Sequence, residues 1–142
     1  MSRIGVVSLC AVLALPPLLS AELPKSGQKV AVLVGVNDYS KTKLRNLKCA
    51  EKDATDLRDT LVNKLDYDKR DVYLLTEEEA FALKKSSHQP TAENIRRTLK
   101  GLLEDLAPED TLFLGFSGHG VHVKEIDKGK LADRGLYFCP SD

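Results

Sequence analysis

The chain has 142 residues, with 21 Lys and Arg against 21 Asp and Glu, so its formal net charge is zero. At 42% hydrophobic and 30% charged residues it has the composition of one globular domain with a real core, not of a disordered tail. Its cations are scattered, which leaves no electrostatic footprint for nucleic acid or an anionic membrane surface.

The amino terminus differs from everything after it. Met1-Ser2-Arg3 is a short basic start, Ile4 to Leu15 is almost wholly apolar, Pro16-Pro17 breaks any helix, and Leu19-Ser20-Ala21 ends in small residues. That is the layout of a secretory signal peptide over residues 1–21. The apolar run is shorter than the roughly 20 residues a membrane helix needs. Export to the periplasm or the exterior is therefore expected, with no stable membrane span once the signal is removed. Cleavage after Ala21 is the expected site, although Leu19 is larger than the residue preferred three positions before a cut. Leu9 before Cys10 speaks against a lipid anchor. The mature chain keeps Cys49 and Cys139. Sequence alone cannot place the two within disulfide reach, and small buried hydrophobes are the expectation for both.

Residues 22–28 form a polar connector. Lys29 to Val36 is a continuous β-branched run, the pattern of a strand covered on both faces. Asn37-Asp38-Tyr39-Ser40 ends it with turn chemistry. Ala50, Ala54, Leu57, Leu61 and Leu65 recur at three- and four-residue steps and predict an amphipathic helix from Lys48 to Leu65. Cys49 falls on its apolar side, and Glu51, Lys52, Asp56, Arg58 and Asp59 read as solvated charges on the other. A second strand is expected over Asp71–Thr76, then a polar, mobile connection from Glu77 to Gln89. Thr91 is the expected N-cap of a second helix whose buried face is Ile95, Leu99, Leu102, Leu103 and Leu106. Thr111 to Phe116 reads as the central strand, Val121 to Arg134 as a charged excursion loop, and Gly135 to Pro140, including Cys139, as a fourth strand ended by proline. His88 and His122 fall in loop or edge positions, where a solvated ring is expected.

Alternation of strand and helix predicts a wound α/β fold. In such folds ligands bind beyond the carboxyl ends of the strands. Ser117-Gly118-His119-Gly120 lies at one of those ends. A histidine between two glycines can present its ring to a reacting group while the backbone N–H groups approach a substrate oxygen. Three chemistries compete for this turn. Gly115-Phe116-Ser117-Gly118 begins like a serine-hydrolase elbow, but His119 stands where that motif needs glycine and no helix follows. A metal-holding site on Asp38 would need further carboxylates at the strand ends, and the strand before His119 supplies none. The third chemistry is a cysteine peptidase with His119 as general base.

Five segments in order carry a resemblance that favours the third. Val32-Leu33-Val34-Gly35-Val36-Asn37-Asp38-Tyr39, Leu47-Lys48-Cys49-Ala50-Glu51-Lys52-Asp53-Ala54, Pro90-Thr91-Ala92-Glu93-Asn94-Ile95, Asp110 to Gly120 and Leu136 to Asp142 together resemble the amino-terminal part of a caspase-like cysteine peptidase of the metacaspase and bacterial caspase-homologue branch. The match covers nearly all of residues 29–142. It implies a three-layer sandwich, a mostly parallel sheet with helices on both faces, present here as a partial catalytic domain. It implies that His119 is the catalytic base, that the Gly120 N–H forms part of the oxyanion hole, and that Asp53 lines a substrate pocket for Lys or Arg. Lys52 stands where the family usually has asparagine. Ser117 and Gly118 are read as turn formers. No metal or cofactor is implied, and the partner is a protein or peptide substrate. The family's nucleophilic cysteine follows a later strand, about 50 residues past the histidine, beyond the sequence given. Cys139 is too close to fill that role. The chain therefore reads as a fragment or truncated product of a cysteine endopeptidase, or else as a non-catalytic caspase-like binding module.

Overall fold

In the computed structural model, residues 27–127 and 130–142 are described, with side chains outside 125–134. The signal-peptide segment, Cys10 and most of the 22–28 connector lie outside those residues. The sheet is organised on β1 (Lys29–Gly35). It runs parallel to β2 (Val72–Leu75) on one side and to β3 (Thr111–Ser117) on the other, in the order β2-β1-β3.

Alternate residues of β1 feed two cores, which is why its run of hydrophobics is unbroken. Ala31 and Leu33 pack with Val72, Leu74, Ala54 and Leu61 beneath α1 (Ala50–Lys64). Val32, Val34 and Val36 pack with Leu75 and Ile95, joined by Leu99, Leu102 and Leu112, beneath α3 (Ala92–Asp105). Helices thus cover both faces of a parallel sheet, as expected. Thr91 caps α3, its hydroxyl accepting the Asn94 N–H at 3.3 Å. Among the described residues no helix is long and apolar enough to cross a membrane.

Several segments depart from expectation. Glu77–Gln89 is ordered rather than a mobile connection. It holds the short helix α2 (Glu77–Leu83) and a 3-10 turn at Ser86–His88. The Thr76 hydroxyl starts α2 by accepting the Glu79 N–H at 2.9 Å. His88 is partly buried instead of solvated, with Nδ1 3.1 Å from the Leu74 carbonyl. The expected excursion loop is a hairpin: β4 (Gly120–Asp127) pairs antiparallel with β5 (Lys130–Phe138). Charged side chains disguise these strands, because an antiparallel ribbon needs no buried face to satisfy its backbone. Cys139 lies one residue past β5, partly buried against the α3-side core.

α1 begins two residues later than expected. That leaves Cys49 at its N-cap, exposed rather than buried. Glu51, expected in solvent, is buried, and its Oε2 accepts the Glu78 N–H at 3.0 Å. Leu65 lies past the helix and is half exposed. Leu103 is 63% exposed, because at ~100° per residue it falls about 80° off the Ile95 axis. β1, not β3, is the centre of the sheet. β3 forms its edge, with Phe113, Leu114 and Phe116 partly open to solvent.

Candidate active site

The carboxyl ends of β1 and β3 lie level, Gly35 opposite Ser117, and the Val36 N–H closes the ladder on the Ser117 carbonyl at 3.0 Å. Beyond that rung, the β1–α1 loop (36–49) and the turn from β3 to β4 face one another. The loop is fixed by its own polar groups. Asn46 Oδ1 accepts the Tyr39 N–H at 2.8 Å, Asn37 Oδ1 accepts the Ala50 N–H at 3.0 Å, and the Leu47 N–H donates to the Asn37 carbonyl at 2.8 Å. Asp38 Oδ1 accepts from Ser40 N–H and from Asn46 Nδ2. The Ser40 bond holds this carboxyl below its ordinary value.

His119 is partly buried between these elements. Its Nε2 lies 2.8 Å from the Arg45 carbonyl oxygen. A carbonyl only accepts, so Nε2 carries the proton and Nδ1 of the neutral ring keeps its lone pair. The ring rests on Tyr39, centroids 4.8 Å apart at 59°. Tyr39 is fully buried, and burial raises its phenol above the ordinary value. The Tyr39 hydroxyl accepts the His119 N–H at 2.9 Å and donates to the Cys139 carbonyl at 2.8 Å. Gly118 has no room for a side chain, because a Cβ there would stand 2.7 Å from the Tyr39 hydroxyl and 2.9 Å from the Phe138 ring.

Gly120 opens β4 opposite Phe138, and the Cys139 N–H donates to the His119 carbonyl at 2.9 Å. That bond makes Gly120–Phe138 a non-hydrogen-bonded pair, so the Gly120 N–H points away from β5. Asp53 is exposed on the first turn of α1, and its Oδ2 accepts from Ser117 Oγ at 3.3 Å. The two polar groups rim a cleft of about 220 Å³ whose apolar walls include Leu33, Ala54, Leu57 and Phe116. Gly115 lies within it, leaving room that a Cβ 2.8 Å from Leu33 would take.

The structure therefore brings His119, Gly120, Ser117 and Asp53 to one edge. Ser117 ends β3 rather than lying in the turn, and its hydroxyl donates to Asp53. Tyr39 and the Arg45 carbonyl escaped the sequence reading: the tyrosine read as turn chemistry, and a main-chain acceptor leaves no residue-type signal. Neither Cys49 nor Cys139 is in a disulfide. Among the described residues no group of three or more His, Cys, Asp or Glu side chains is gathered to hold a metal.

Residues 29–142 match the family described as metacaspase, peptidase C14 domain. The chain belongs to the metacaspase family. It is 34% identical over 116 residues to Metacaspase-3 of Arabidopsis thaliana, covering 82% of this chain and 30% of that protein. Metacaspase-1B of Neurospora crassa is 30% identical over 102 residues, or 72% of this chain and 22% of that protein. Metacaspase-1 of Botryotinia fuckeliana is 30% identical over 102 residues, covering 72% and 23%. The chain thus spans between about a fifth and a third of the length of these metacaspases.

Proposed function

We propose that this chain carries the general base and part of the oxyanion hole of a cysteine endopeptidase. The observation that supports it most is the Arg45 carbonyl on His119 Nε2. It leaves Nδ1 to take the thiol proton and later return it to the leaving amine. The Gly120 N–H, turned from β5, would donate to the developing oxyanion, a contact of a kind worth about 3 kcal/mol in the transition state. The apolar cleft would hold the aliphatic stem of a Lys or Arg before the scissile bond, with Asp53 meeting its cation and Ser117 orienting the carboxylate. The nucleophilic thiol is assigned to a cysteine beyond Asp142 in a longer product, since Cys139 packs against the core.

The test uses the product of the complete reading frame and an electrophilic peptide ending in Lys or Arg. A covalent adduct, peptide cleavage abolished by His119→Ala, and lost preference for the basic residue in Asp53→Asn are expected. No adduct and no His119-dependent cleavage would sink the peptidase. The second reading, a non-catalytic caspase-like binding module, would then stand. Export through residues 1–21 belongs to the same proposal. It predicts a mature protein beginning near Glu22, read by mass spectrometry of the exported fraction.

A further inference from the structure

An antiparallel pair such as His119–Cys139 ordinarily exchanges two main-chain bonds. Here one is made directly, from the Cys139 N–H to the His119 carbonyl. The other is replaced by a relay, His119 N–H to the Tyr39 hydroxyl to the Cys139 carbonyl, at 2.9 and 2.8 Å. A side chain from the β1–α1 loop is thus inserted as a rung of the β4–β5 ribbon. The same loop supplies the Arg45 carbonyl to the imidazole, and Asn46, next to Arg45, holds the Tyr39 N–H. Tyr39 also has its carbonyl pinned by the Thr42 N–H and hydroxyl, at 2.8 and 2.9 Å. Both ends of His119, backbone amide and ring nitrogen, are therefore referred to one rigid loop.

We propose that Tyr39 is the positioning residue for His119: its inserted hydroxyl holds the ribbon open at this rung and sets the ring so that Nε2 meets the Arg45 carbonyl. A direct His119-to-Cys139 bond would draw the turn toward β5. Phenylalanine would keep the packing under the ring but leave a partly buried N–H and C=O to find each other or water. The functional meaning rests on His119 being the base; the placement of the ring does not.

The chain as given suffices for the test, with ring nitrogens read by long-range ¹H–¹⁵N spectra. The intact chain is expected to show His119 as a single Nε2–H tautomer. In Tyr39→Phe the His119 ring nitrogens should converge toward a tautomer mixture, while His88, held by the Leu74 carbonyl, keeps its signals as an internal control. A folded Tyr39→Phe chain with unchanged His119 signals would overturn the proposal. Should that variant not fold, amide exchange in the unaltered chain decides. The His119 N–H is expected to be slowed like the Cys139 N–H, and exchange at the rate of an open loop would overturn the relay. Neither readout needs cleavage, so a chain that passes both and yields no peptidase removes the proposed function alone.

Discussion

Glu77 opens α2 with both carboxylate oxygens buried and unpartnered. Burial, then the neighbouring Glu51 and Asp38 carboxylates, push its carboxyl up to about 7. The cavity it lines, with Asp38, Lys41, Gln89 and Ser141, offers Lys41 as the cation on that side. Between the ordinary value of 4.5 and about 7, the folded chain holds a proton that the unfolded chain has released. Stability is therefore highest at the acid end of that window and falls as pH rises through it, levelling above about 7. Glu77→Gln should remove this slope. Because the side chain is only half buried, the gain at pH 8 should be about 1 kcal/mol, with little change at pH 4.5. Urea unfolding at the two pH values measures it; an undiminished slope in the variant would refute the assignment to Glu77.

At the scale of elements, α2 depends on one hydroxyl. Thr76 is 1% exposed and caps the helix through Glu79 N–H. Thr76→Ala should cost about 1 kcal/mol, since it leaves the partly buried Glu79 N–H without its oxygen. Thr76→Ser should recover most of it, by chemical denaturation. In β1, Leu33 is fully buried beneath α1, and Leu33→Ala should cost about 2–5 kcal/mol by the same measurement. The unequal legibility of these elements has a physical basis. β1, α1 and α3 bury apolar residues at the period of their own geometry, and that pattern is written in residue type. α2 carries three glutamates in its first turn, which suits the positive end of a helix yet looks like a polar loop. β4 and β5 lean on pairing with each other, so their side chains carry little of the signal. At the candidate site, His119 stands out by residue type between two glycines at a strand end, whereas Gly120 and Asp53 were proposed through the family resemblance. The Tyr39 relay and the Arg45 carbonyl were not legible, because they depend on a loop folding back across ~80 residues of chain, between Tyr39 and His119.

At the scale of the whole molecule, β3 presents one unpaired side among the described strands. Its sequence, Thr111 to Ser117, contains no charge and no proline, and Leu114 and Phe116 are 46% and 45% exposed. Such an edge lacks the usual guards against pairing with another strand. The isolated chain should self-associate as its concentration rises. Leu114→Lys should keep it monomeric at little cost to folding, because the position is already half in solvent. Analytical ultracentrifugation over a concentration series compares the two, and identical sedimentation would remove β3 as the cause.

The acceptor that orients the imidazole is a peptide oxygen, and every amino acid at position 45 brings one. Alanine scanning would pass over Arg45 as dispensable while the geometry it provides went on untouched. The vulnerability lies next door: Asn46→Ala strips the amide that anchors Tyr39, and a residue added to or taken from 40–46 would carry the oxygen out of reach. Position 45 can thus take any letter, whereas its polar neighbours and the length of the loop cannot change without moving the oxygen.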